Sequence, residues 1–322
     1  MRLLLQTLAV FAGVPPSMAG FQAPNTGAFI AGEYVSAEGR RRYKLFVPER
    51  KRNPPLIVLL HGCTQEPDDL ARGTRFNDHA ARAGALVLYP DQPVEANGRK
   101  CWNWFDPAHQ APGAGEPALI AGMTREIVAT YRVDSRRVYV GGISAGGAMA
   151  VLTAVAYPDL YAAVAVHSGL GWRVAHDLAS GLAAMQGKLP DSDSLARAAR
   201  EAMGAAARPV PLIALHGTRD SILRPAATHH LVEQFVALHQ LVRPGVARGP
   251  STSTSAGAGA AYPARVRRYR DADGRAVIEE WLIDGLGHAW SGGSLEGSWT
   301  DARGPDATAE IMRFLLEHRR GE

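Results

Sequence analysis

The chain has 322 residues, 46% apolar and 20% charged, a balance that can bury a large core and is too apolar for wholesale disorder. The formal net charge is only +4, and the arginines are spread along the chain rather than gathered into a stripe, which argues against a nucleic-acid binder. No apolar run reaches the ~18 residues a membrane-spanning helix needs, so no membrane partner is expected.

In chain order, residues 1–19 begin with the single cation Arg2 and continue through an apolar run broken by Gln6 and Thr7. They close on Ser17-Met18-Ala19, the pattern of a short secretory signal. Cleavage there would start the mature chain near Gly20 in a secreted or periplasmic, oxidising setting. The alternative is a stray amphipathic segment on a cytoplasmic protein. Residues 20–322 are read as one α/β domain.

Residues 41–47 mix charged and apolar side chains and stop at Pro48, as a half-exposed strand would. Leu56-Ile57-Val58-Leu59-Leu60 is continuously apolar, as are residues 85–89, 138–140, 162–166 and 212–215. Such runs fit parallel strands covered on both faces by helices. Leu119, Ile120, Met123, Ile127, Val128 and Tyr131 fall mostly three and four apart, one helical stripe, and residues 146–156 are small and apolar nearly all round, as in a buried helix. Asp191 and Asp193 read as polar linker. Further helices are expected over 228–241 and 306–318. Residues 243–263, rich in Gly, Ser, Thr and Pro, read as a flexible surface loop. Residues 266–270 and 277–283 flank Asp271-Ala272-Asp273-Gly274, a hairpin signal. The alternation predicts an α/β fold with a mostly parallel central sheet and helices on both faces.

Gly142-Ile143-Ser144-Ala145-Gly146 follows a predicted strand and opens a predicted helix. That strand–turn–helix setting can lift a serine hydroxyl to the sheet's C-terminal edge as a nucleophile, the small neighbours permitting a tight turn. A serine needs a base and the base an orienting acid, which follow it in this fold in the order acid, then His. Asp220 lies just past the strand 212–215. His288 sits in Gly285-Leu286-Gly287-His288 after the strand 277–283. His167 is the second choice for the base, His216 is expected to be structural, and His229, His230 and His239 are expected to face solvent or pack. An oxyanion needs backbone donors, for which the N–H groups of Ala145 and of Cys63 in His61-Gly62-Cys63-Thr64 are placed. Cys63 and Cys101 are the two cysteines. A bridge between them would hold that loop and contribute roughly 4 kcal/mol through loop-closure entropy, two buried thiols being the alternative. His229-His230 lacks the i, i+4 spacing of a helical metal pair and no phosphate-cradling loop is present, so no metal and no cofactor are expected. Trp102, Trp104, Trp172 and Trp290 are candidates to line an apolar cleft, bordered by residues 110–115.

The stretches Leu60-His61-Gly62-Cys63-Thr64-Gln65, Cys101-Trp102-Asn103-Trp104-Phe105, Gly142-Ile143-Ser144-Ala145-Gly146-Gly147, His216-Gly217-Thr218-Arg219-Asp220 and Gly287-His288-Ala289-Trp290-Ser291-Gly292-Gly293 together resemble the polyhydroxybutyrate depolymerase-type esterases. These belong to the α/β-hydrolase superfamily and have feruloyl and acetyl-xylan esterase relatives. The resemblance implies Ser144, Asp220 and His288 as a catalytic triad and Cys63 at the oxyanion hole. Thr218 departs from relatives that carry a second acid there. The chain also ends soon after its last helix, without the linker and polymer-binding domain of family members that attack solid polymer. The expectation is therefore a serine carboxylic-ester hydrolase for hydroxyalkanoate-type esters or soluble poly(3-hydroxybutyrate) oligomers, working through an acyl-enzyme. A feruloyl or acetyl-xylan esterase is the alternative substrate reading, and a non-catalytic binding protein on the same fold the alternative from another class.

Overall fold

Leu56–Leu60, the first of the continuously apolar runs, is buried along its whole length. Its side chains alternate between two apolar clusters, Leu56, Val58 and Leu60 in one and Ile57 and Leu59 in the other. That division explains why the run is unbroken: helices cover both faces of the sheet it belongs to. The computed structural model describes residues 27–49, 52–246, 249–250, 252–256 and 261–321. The signal-like segment at residues 1–19 lies outside them.

Strands β1 (Ala28–Ser36), β2 (Gly39–Val47), β3 (Leu56–Leu60), β4 (Leu86–Pro90), β5 (Val138–Ile143), β6 (Ala163–His167), β7 (Leu212–Gly217), β8 (Thr252–Ala256), β9 (Ala264–Arg270) and β10 (Ala276–Ile283) form one sheet. Its order is β1-β2-β4-β3-β5-β6-β7-β10-β9-β8. From β4 to β10 all neighbours are parallel, and an antiparallel pair is added at each edge. Helices α1 (Pro67–Thr74), α2 (Phe76–Ala83) and α8 (Ala307–Leu316) supply one covering layer. Helices α3 (Gly115–Tyr131), α4 (Ala145–Ala156), α6 (Ser192–Met203) and α7 (Ala226–Val242) supply the other. A short helix, α5 (Leu178–Met185), and a two-residue pairing of β11 (Trp290–Ser291) with β12 (Thr300–Asp301) lie in the loops.

The chain runs from β3 outward to β4 and returns across β3 to β5, so the direction of winding reverses between β3 and β5. Loops leaving the C-terminal ends of these two strands diverge and open a crevice, the usual place for a ligand in such a sheet.

Three differences from the sequence reading have physical causes. Within residues 243–263, read as a loop, Thr252–Ala256 forms β8 and pairs with β9; an edge strand needs backbone partners on one side only, so a polar composition does not forbid it. Asp191 and Asp193 are not linker. Asp191 caps α6, its carboxylate accepting from Ser194 N–H at 2.6 Å, and Asp193 lies in the first turn, where a negative charge suits the helix dipole. Strand β1 lies at the sheet's edge with most of its residues exposed or half-buried, and so leaves little hydrophobic pattern to read.

Candidate active site

Strand β5 ends at Ile143 and α4 begins at Ala145, leaving Ser144 alone in the turn with φ 58° and ψ −123°. A non-glycine residue in that region is strained and holds there only when its surroundings fix it. Here Ser144 N–H donates to His167 O at 2.9 Å. A Cβ on Gly146 would also overlap the carbonyl oxygens of Leu60 and His61, so glycine is what lets α4 start directly beside the end of β3.

The loop after β3 is fixed at nearly every residue. Gln92 N–H donates to His61 Nε2 at 3.0 Å, which leaves the ring proton on Nδ1 to donate to Gly62 O at 2.7 Å. Burial holds the His61 imidazole below its ordinary pKa, despite the opposing hydrogen bond to Gly62. Gly62 N–H donates to Gln65 Oε1 at 3.0 Å, and Thr64 N–H to Arg99 O at 2.7 Å. Cys63 and Cys101 are joined as a disulfide. The far side of that bridge rests on Glu116, a buried carboxylate that accepts from Gln92 Nε2 at 2.5 Å and from Asn103 N–H and Nδ2 at 2.8 Å each. Among the described residues, neither Cys63 N–H nor Ala145 N–H donates to a loop, turn or side-chain acceptor.

The third group of loops follows β7 and β10. Asp220 Oδ1 accepts from Ile222 N–H at 3.0 Å and Leu223 N–H at 2.9 Å, while Oδ2 faces His288 Nδ1 at 2.6 Å and His216 Nε2 at 3.1 Å. Burial by itself would raise the Asp220 carboxyl. The hydrogen bonds from His216 and His288 outweigh it and hold the group well below the usual carboxylate range. His216 is structural: its ring is buried and spans Thr228 Oγ1 at 2.7 Å and Leu223 O at 2.9 Å. Thr218 serves this loop differently from an acid, its hydroxyl accepting from Gly285 N–H at 3.0 Å. His167, the second choice for the base, is buried against Trp290, and its Nε2 already accepts from Ser291 N–H at 3.2 Å. Burial, followed by the neighbouring His216 and His288, lowers His167 to about 3. His230 and His239 pack, as their carbonyl partners Pro190 and Val210 indicate, whereas His229 pairs with Glu280 at 3.1 Å.

Ser144, Cys63 and His288 line one cleft of about 510 Å³, within the range of small-molecule sites. Its apolar wall is Trp104, Phe105, Leu178, Leu182, Met185 and Ile222, and Trp299 stands at its edge, its ring edge-on to His288 at 5.9 Å. Of the four tryptophans proposed for the cleft, Trp104 alone lines it. Trp102, Trp172 and Trp290 are at most 1% exposed and belong to the core; Trp290 Nε1 has its partner in Thr308 Oγ1 at 3.0 Å. Residues 110–115 do not border the cleft either, and Gln110 lies underneath, donating to Trp104 O and Ala175 O at 2.8 Å each. Trp299 and the α5 residues carry no motif in the sequence. The one usable signal is the spacing of Leu178, Leu182 and Met185, which share a face of a helix.

A sheet wound about the β3/β5 reversal, with the serine turn after its central strand, defines the α/β-hydrolase fold. An acetyl xylan esterase from Aspergillus awamori superposes with a TM-score of 0.71 over 89% of this chain and 99% of that one, at 18% identity. The family described as esterase PHB depolymerase matches residues 42–256, and the chain belongs to that family. It is 33% identical over 244 residues to a poly(3-hydroxyalkanoate) depolymerase C of Paucimonas lemoignei. It is also 38% identical over 144 residues to a feruloyl esterase B of Neurospora crassa. These alignments cover 73% and 44% of this chain and 55% and 47% of the relatives, so the chain spans about half their length.

Proposed function

We propose that the protein is a serine carboxylic-ester hydrolase with Ser144 as nucleophile, His288 as base and Asp220 as the group that orients the base. The observation that carries this reading is the cleft itself, which brings a serine strained at a strand end together with an imidazole held by a buried carboxylate. Asp220 stays ionised and accepts the Nδ1 proton of His288, so the Nε2 lone pair is left to take the serine proton. Ser144 Oγ then adds to the ester carbonyl, and its proton moves to His288. The tetrahedral oxyanion is received by the N–H groups of Cys63 and Ala145, which no protein acceptor in the surrounding loops engages. Collapse breaks the bond to the alcohol, which leaves with the proton from His288. Water, deprotonated by the same imidazole, adds to the acyl-enzyme, and the acid departs as Ser144 regains its proton.

The apolar wall favours an ester of low polarity, and the leading substrate class is a hydroxyalkanoate ester or its soluble oligomers. A second reading, a feruloyl ester, is favoured by the aromatic edges of Trp104, Phe105 and Trp299, against which a phenyl ring could stack. We infer a secreted or periplasmic location, supported by the Cys63–Cys101 bridge, since disulfides persist in oxidising compartments. Initial rates on 3-hydroxybutyrate oligomers, methyl ferulate and p-nitrophenyl esters from acetate upward test the substrate reading. Preference for the oligomers supports the hydroxyalkanoate class; preference for ferulate moves the enzyme to the second reading, and preference for acetate points to an acetyl esterase. Turnover of none contradicts the hydrolase assignment.

A further inference from the structure

We propose that Arg99 reads a carboxylate on the substrate, so that the site prefers esters bearing a free acid group over their neutral counterparts. For turnover this rests on the hydrolase reading; for binding it does not.

Among the described residues lining the cleft, Arg99 carries the one fixed charge: no Asp, Glu or Lys shares the wall with it. Its guanidinium has no carboxylate partner among the described residues, whereas the adjacent Lys100 pairs with Glu66 at 3.6 Å. The backbone beneath it is fixed. Arg99 O accepts from Thr64 N–H at 2.7 Å, and Arg99 N–H donates to Asn97 Oδ1 at 3.0 Å. Two residues on, Cys101 is bridged to Cys63. Arg99 therefore stands on the loop after β4, which the bridge staples to the loop carrying the proposed oxyanion amide, at the rim of the site.

Across the cleft, Leu178, Leu182 and Ile222 are apolar and substantially exposed. A ligand that suits both sides is apolar along its length and anionic at one end. A hydroxy-acid oligomer with its terminal carboxylate has that form. The planar guanidinium offers two parallel N–H donors to a carboxylate, and low-dielectric walls concentrate the field of a lone charge. A neutral ester of a polysaccharide gains nothing from it.

The test compares the free acid of a 3-hydroxybutyrate trimer with its methyl ester. The expected kcat/KM ratio favours the acid by about tenfold, the size of one charge-assisted contact, and shrinks at high salt because the contact is open to solvent. Arg99→Gln should bring the ratio close to one, and Arg99→Lys should restore part of it. In parallel, calorimetric binding of both compounds to Ser144→Ala, and to Ser144→Ala combined with Arg99→Gln, reads the same preference without turnover. An equal ratio in the wild-type protein, or a ratio that survives Arg99→Gln, overturns the proposal. An Arg99-dependent binding preference in a protein that hydrolyses neither compound upholds it while overturning the hydrolase reading.

Discussion

The amide side of the cleft, His61 to Thr64 with Ser144 and Ala145, is held by backbone contacts, a disulfide and glycines where chains touch. The imidazole side, residues 216–223 with His288, is held by hydrogen bonds that converge on one carboxylate. The first arrangement fixes geometry chiefly through sterics and covalency. The second depends on Asp220 remaining ionised. Damage to the two sides should therefore differ in kind: sterics and redox state should disturb one, charge the other.

Removing the carboxylate should have the largest effect. Asp220→Ala is expected to lower kcat on a p-nitrophenyl ester by about 10⁴-fold, the order seen when the orienting acid of such a triad is lost. A fall of less than tenfold would mean that His288 is oriented by something else. The Asp220 charge also stabilises the fold wherever the pH lies above the ordinary carboxylate value, and that contribution is lost as pH falls through its depressed folded value. The Tm difference between wild type and Asp220→Asn should accordingly narrow in strong acid.

On the amide side, Cys101→Ser opens the bridge and should cost about 2–4 kcal/mol of stability by denaturant titration. Wild-type protein treated with reductant should lose activity in parallel, and Cys101→Ser should not respond to it. Gly146→Ala forces a Cβ onto the carbonyls of Leu60 and His61 and should destabilise by about 1–3 kcal/mol. If its Tm matches wild type, the close approach of α4 to β3 is not what requires glycine.

The last effect separates titration of the core from titration of the site. Burial lowers His239 to about 4, despite its hydrogen bond to Val210 O. Its folded pKa lies below that of an unfolded histidine, so the unfolded chain takes up the proton first and stability falls as pH drops from about 6.5 towards 4. His239→Gln keeps a donor for Val210 and should flatten that slope by up to about 1.4 kcal/mol per pH unit. A slope unchanged in the variant assigns the acid sensitivity elsewhere.

Legibility in the sequence followed the same division. Strands buried on both faces, such as Leu56–Leu60, are unbroken apolar runs and were readable. Ser144, Asp220 and His288 were readable as candidates because each reactive residue type sits just past a strand. Edge strand β1 buries too few side chains to leave a period, and the largely exposed α5 offers only the spacing of Leu178, Leu182 and Met185. The cleft wall was the least legible part. A tryptophan in the core and one on a rim look alike in sequence, and Trp290 and Trp299 took opposite places although one loop carries both. Arg99 reads as one more surface arginine until the fold sets it at the rim of a largely apolar cleft whose lining holds no acid.

The most direct test of the account is covalent trapping. The protein is treated with an alkyl p-nitrophenyl phosphonate, which phosphonylates an activated serine and releases one equivalent of p-nitrophenol, and the adduct is then located by peptide mass spectrometry. The account predicts stoichiometric release with the adduct on Ser144, and no release from Ser144→Ala. An adduct on another residue, or undiminished labelling of Ser144→Ala, would contradict it.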